Sequence, residues 1–100
     1  MIQGTTPTHT FNLPIDVSLV KNVRITYAQC ETVVLQKEKG SCSFDGNSLQ
    51  VKLTQEETLL FSCGSPVKIQ LRIRTTGGDV LASDLIRVPC GVVLDKAVLE

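Results

Sequence analysis

One histidine, four cysteines and a run of alternating cations are the residues of this chain with the means to do chemistry. His9 stands between Thr8 and Thr10, and any general base or Cys–His dyad would have to use it. Its polar, threonine-rich surroundings read instead as a solvent-facing strand-edge histidine. Cys30, Cys42, Cys63 and Cys90 are separated by 12, 21 and 27 residues. None belongs to a C-x-x-C or C-x-x-H pair, so zinc ligation has little support. They read first as free thiols filling small apolar spaces. Disulfides in an oxidising compartment, and metal or catalytic thiols, are the alternatives. Asp45, Glu56 and Glu57 lack calcium-loop spacing, and the two glutamates suit the start of a helix. There is no G-x-S-x-G, glycine-rich phosphate loop or H-E-x-x-H. The expectation is therefore no catalytic, cofactor-binding or metal-binding residue, no cofactor, and no enzyme.

What remains is a surface. In Val67-Lys68-Ile69-Gln70-Leu71-Arg72-Ile73-Arg74, apolar and polar residues alternate through four full periods of two, which is the pattern of a strand with one buried face. Lys68, Arg72 and Arg74 then form a basic stripe on the other face. Thr75-Thr76-Gly77-Gly78-Asp79 follows, and a hairpin with Gly77-Gly78 at its tip is expected. That register sets Ile73 opposite Ala82, Leu71 opposite Asp84, Ile69 opposite Ile86 and Val67 opposite Val88. It also sets Arg87 opposite Lys68, a pairing of like charges that mildly destabilises. Acidic side chains of neighbouring strands, solvent, or an acidic partner would neutralise the stripe. Asp84 on the inward face must bulge out, or hold a backbone amide or an arginine. Leu81 and Leu85 fall on the nominally polar face, as they would on a contact surface. The candidate interface is thus Lys68, Arg72, Arg74, Leu81, Leu85 and Arg87.

The rest of the chain supplies the elements that position this hairpin. Thr10–Leu13 is a short strand ended by Pro14. Residues 15–20 form a connection with apolar staples, where Asp16 or Ser18 caps a single turn. Val23–Ala28 alternates, with Val23, Ile25 and Tyr27 inward, and pairs with Thr32–Glu38 through the Gln29-Cys30-Glu31 connection. Residues 38–41 turn, 42–44 form a short strand, and Asp45-Gly46-Asn47 turns again. Leu49–Leu53 alternates. Thr54 with Glu57 three residues on fits a capping box, so a helical turn is expected near 54–60. Gly64 and Pro66 break the chain before the hairpin, and Pro89 closes it. In the final segment Asp95 caps a very short helix, or an apolar tail follows. The expected organisation is a domain over 1–90 and a C-terminal tail over 91–100.

About seven short strands at this spacing are the pattern of two packed antiparallel sheets, and the fold expected is an all-β, immunoglobulin-like β-sandwich. One hundred residues make one domain. Hydrophobic residues are 42% of the chain and aromatics 4%, so the core must be built from Val, Ile and Leu. The formal net charge of zero argues against a general nucleic-acid binder, and the stripe has no interleaved aromatics for base stacking. No run is long enough to span a membrane, and MIQGTTPTHTF lacks the basic and apolar regions of a secretory signal. A reducing cytoplasm is the expected place of synthesis. A small-molecule ligand is not expected; Tyr27, Phe11, Phe44 and Phe61 all fit core positions, which weakens the alternative of a carbohydrate-binding sandwich.

Three stretches carry a family resemblance: Gly4-Thr5-Thr6-Pro7-Thr8-His9-Thr10-Phe11, Leu53-Thr54-Gln55-Glu56-Glu57-Thr58 and Gly78-Asp79-Val80-Leu81-Ala82-Ser83-Asp84. With them the chain resembles small structural proteins of phages and prophages of gut Firmicutes. It is similar, over most of residues 4–88, to the immunoglobulin-like N-terminal domain of phage baseplate upper proteins. The resemblance implies a virion structural module of tail or baseplate, assembled in the bacterial cytoplasm. Its partners would be other phage structural proteins or further copies of itself. It brings no catalytic residues. Baseplate upper proteins continue into helical and receptor-binding parts that have no counterpart in this sequence, so receptor binding is not implied.

Overall fold

The computed structural model describes every residue except Cys63 and Asp84. Among the described residues the chain forms eight strands: β1 (Thr8–Asn12), β2 (Val20–Gln29), β3 (Thr32–Glu38), β4 (Cys42–Asp45), β5 (Ser48–Lys52), β6 (Val67–Thr75), β7 (Val80–Ala82) and β8 (Ile86–Val88). One helical turn, α1 (Gln55–Thr58), and two 3₁₀ turns, Val17–Leu19 and Lys39–Ser41, complete it. The strands form two antiparallel sheets, ordered β1-β5-β4 and β3-β2-β6-β7, with β8 also on β6. In chain order these correspond to the B-E-D and C′-C-F-G sheets of an immunoglobulin-like sandwich. Ile2 adds a parallel bridge to Gly91, so the N-terminal residues lie beside the chain that leaves β8.

Alternation in the strands builds the core. Val23, Ile25 and Tyr27 of β2, Leu49 and Val51 of β5, and Val67, Ile69, Leu71 and Ile73 of β6 all point between the sheets and are buried. Each such aliphatic side chain contributes about 1.5–3 kcal/mol on burial. β2 and β6 lie at the centre of the larger sheet. Gln29, also buried, ends β2 and holds the chain that enters β6: its Nε2 donates to Ser62 O (2.8 Å) and Ser65 O (3.1 Å), and its Oε1 accepts from Ser62 N (2.8 Å).

The capping box forms as the sequence requires. The Thr54 hydroxyl accepts from Glu57 N (3.2 Å) and the Glu57 carboxylate from Thr54 N (2.9 Å). The other carboxylate oxygen accepts from Lys37 Nζ at 2.7 Å, tying α1 to β3. Asp16 caps the first 3₁₀ turn by accepting from Ser18 N at 2.9 Å. The connection between β2 and β3 is tight: Cys30 and Glu31 take φ of 49° and 65°. Two consecutive positive φ values are what a type I′ hairpin turn demands, usually of Asn-Gly.

The β6 hairpin departs from the expected register at its tip. Ile73 faces Leu81, not Ala82, and Arg72 faces Ala82. The reason lies in the glycines. Gly78 has φ of 96° but Gly77 does not enter the left-handed region. The turn is therefore a three-residue loop with its last residue left-handed, not a two-residue turn needing two positive φ values. Lower down the expected register holds, with Ile69 opposite Ile86, Lys68 opposite Arg87 and Val67 opposite Val88. The returning arm thus carries one residue more than β6 between its two paired segments, a bulge in effect. It splits the expected single strand into β7 and β8. Ser83 bridges the gap: its N–H donates to Leu71 O (2.8 Å) and its hydroxyl accepts from Leu71 N (3.0 Å). The expectation for Asp84 lies outside the described residues.

Candidate contact face

Strand alternation sends the even-numbered side chains of β6 to the outer face of the larger sheet. The pairing of β2 with β6 sets Arg24 beside Arg72, Asn22 beside Arg74 and Ala28 beside Lys68. Pairing of β2 with β3 sets Glu38 beside Arg24, and β8 sets Arg87 beside Lys68. Among the described strand residues this face therefore carries five cations, Arg24, Lys68, Arg72, Arg74 and Arg87, against the single carboxylate of Glu38. Glu38 pairs with Arg24 at 2.9 Å, both side chains about half exposed, so the pair contributes only about 0–1 kcal/mol. Lys68, Arg72, Arg74 and Arg87 form no ion pair among the described residues. Two like-charged pairs, Arg24 beside Arg72 and Lys68 beside Arg87, stand directly across strands, where Cβ atoms are about 4.5–5.5 Å apart and repulsion destabilises.

Between these strands lies an open depression of about 190 Å³. Arg24, Glu38, Arg72 and Arg74 supply its polar wall, and Val80 an apolar one. Val80 is 53% exposed and stands across from Arg74.

The expected interface set is divided by the structure. Lys68, Arg72, Arg74 and Arg87 share the outer face. Leu81 does not: opposite inward-facing Ile73, it shares the inner face and is half-buried. The one-residue shift of the turn moves it there, because a slip of one residue reverses the faces of β7, and the extra residue before β8 restores them. Leu85 lies between β7 and β8 and is 51% exposed. Arg24 was not among the expected residues, although its place between inward-facing Val23 and Ile25 already makes it outward. What the sequence lacks is the pairing that lays β2 against β6.

His9 also departs from expectation. It faces inward from β1, half-buried, and its Nδ1 lies 2.8 Å from the hydroxyl of buried Tyr27 on the opposite sheet. Burial, and then the N-terminal ammonium, lower its pKa from the ordinary 6.5. The neutral ring is thus favoured at pH 7, and Nδ1 and the phenol share one hydrogen bond whose direction follows the imidazole tautomer. Burial, with Cys42 and Glu57 nearby, raises the Tyr27 pKa. Cys42 and His9 both pair with Val51, from opposite sides of β5, so a strand separates thiol from imidazole. Burial raises the Cys42 pKa, which is opposite to the activation of a nucleophile. Cys42 packs against the core, whereas Cys30 is exposed at its turn; Cys63 lies outside the described residues. Among the described residues no three His, Cys, Asp or Glu side chains converge as a metal site, and no helix is long and apolar enough to cross a membrane.

These features define the class: an immunoglobulin-like β-sandwich whose outer C′-C-F-G face is charged. No family model matches the sequence, and no curated protein does. Among solved structures the chain is similar to the V domain of amphioxus IgVJ-C2, at 16% identity over 93% of this chain and 97% of that one, with a TM-score of 0.39.

Proposed function

We propose that this chain is a non-enzymatic virion structural module of a phage or prophage, associated with tail or baseplate, assembled in the bacterial cytoplasm and acting through protein–protein contacts. The observation that carries the reading is the outer face of the larger sheet. Four cations there are left without acidic partners among the described residues, and exposed Val80 lies on the same face. Such a face gains from a protein surface that covers it. Immunoglobulin-like sandwiches are widely used as contact modules, and the motif resemblance supplies the phage context. The carbohydrate-binding alternative has less behind it, because Tyr27, Phe11 and Phe61 are buried and Phe44 is half-buried. Sugar stacking needs an exposed ring.

The test is co-expression with the proteins encoded beside this gene, tail and baseplate proteins being expected among them, followed by gel filtration with light scattering. A complex of fixed stoichiometry is expected. A strict monomer up to high concentration, bound to none of those proteins, would defeat the proposal.

A further inference from the structure

We infer that the depression between β2, β6 and β7 is a receptor for an extended acidic segment of a partner protein, with a glutamate side chain seated between Arg72 and Arg74. This deepens the contact-module reading and rests on it. Charge complementarity is the first argument: among the described strand residues five cations share the face with one carboxylate, and that carboxylate is already engaged by Arg24. Arrangement is the second. Arg72 and Arg74 are alternate residues of one strand, hence about 6.5–7 Å apart, and Lys68 and Arg87 continue the charge along the same face. An extended acidic segment repeats its carboxylates at that same interval. An arginine fork also matches a carboxylate in two-point geometry. The lining is the third. Val80 gives an apolar wall beside Arg74, which suits the two-methylene stem of glutamate. Like-charge pairs set directly across strands are relieved when a carboxylate lies between them. A nucleic acid would find phosphate contacts here but no exposed ring for its bases.

The test is fluorescence anisotropy with a labelled octapeptide alternating Glu and Thr, against its Gln-Thr counterpart and a single-stranded oligonucleotide of equal charge. Saturable binding of the glutamate peptide is expected, at least about tenfold tighter than the glutamine peptide. It should be lost in R72E/R74E and at about 1 M salt, where the screening length falls to about 3 Å. Both arginines are exposed, so circular dichroism and melting should show R72E/R74E folded; R72Q/R74Q, which adds no charge, provides a second variant with the same expected loss. Equal binding of the glutamine peptide, unchanged binding by both variants, or tighter binding of the oligonucleotide would overturn the inference. Failure here with a stable complex among the co-expressed structural proteins would leave the contact-module reading standing. Peptide binding by a chain that joins none of them would remove the virion reading alone.

Discussion

Tyr27→Phe removes one oxygen from the interior and isolates a contact that joins the two sheets through polar side chains. The phenol is fully buried and its hydroxyl lies 2.8 Å from His9 Nδ1. Phe keeps the ring, including its edge contact with Phe61 at 6.0 Å between centroids, so no large cavity opens. The lost hydrogen bond is worth about 0.5–1.5 kcal/mol, and leaving the half-buried Nδ1 without that partner adds to it, giving about 1–2 kcal/mol in all. For a domain of this size that corresponds to a fall in Tm of about 4–16 °C. The assay is urea denaturation of wild type, Tyr27→Phe, His9→Leu and the double variant, with the coupling energy taken from the cycle. A coupling of about 1 kcal/mol is expected. The pH dependence follows from the lowered pKa of His9. The unfolded chain binds the proton first as pH falls, so stability is complete above the ordinary value of 6.5 and declines as pH drops through the lower folded value. His9→Leu should flatten that decline. Tyr27→Phe within about 0.3 kcal/mol of wild type, or strictly additive single variants, would refute the reasoning.

Three further outcomes are expected. Replacing Cys30-Glu31 by Asn-Gly should raise stability by about 1–2 kcal/mol in urea, because both positions already hold positive φ that costs an ordinary side chain about 1 kcal/mol. Glu57→Gln should cost about 1–2 kcal/mol by weakening both the capping box and the Lys37 pair. Burial opposes ionisation of Glu57, but the bonds from Lys37 and Thr54 outweigh it and lower its pKa. Its contribution is therefore present above the ordinary 4.5 and lost as pH falls through the folded value; thermal melts of wild type and variant should converge at acid pH. Gln29→Ala should cost about 2–3 kcal/mol, since three bonds to Ser62 and Ser65 disappear from a buried site, and hydrogen exchange should quicken at the Ser62 amide.

The alternation in Val67–Arg74 and Val23–Ala28 determined the strands, their inward faces and the two-sheet class, because period two is a local property of the chain. Thr54 and Glu57 likewise announced the capped turn, being three residues apart. The basic stripe on β6 was equally legible. Tertiary structure decided which strand lies beside which. It brought Arg24 from β2 next to Arg72 and left Glu38 to pair with Arg24 alone. It turned His9 inward onto Tyr27, a contact between residues 18 apart on different sheets that no local period encodes. The hairpin tip shows the boundary between the two. Two adjacent glycines permit either a two-residue or a three-residue turn at little backbone cost. The folded chain takes the latter, with Gly78 alone of the two left-handed, and with it comes the face on which Leu81 lies.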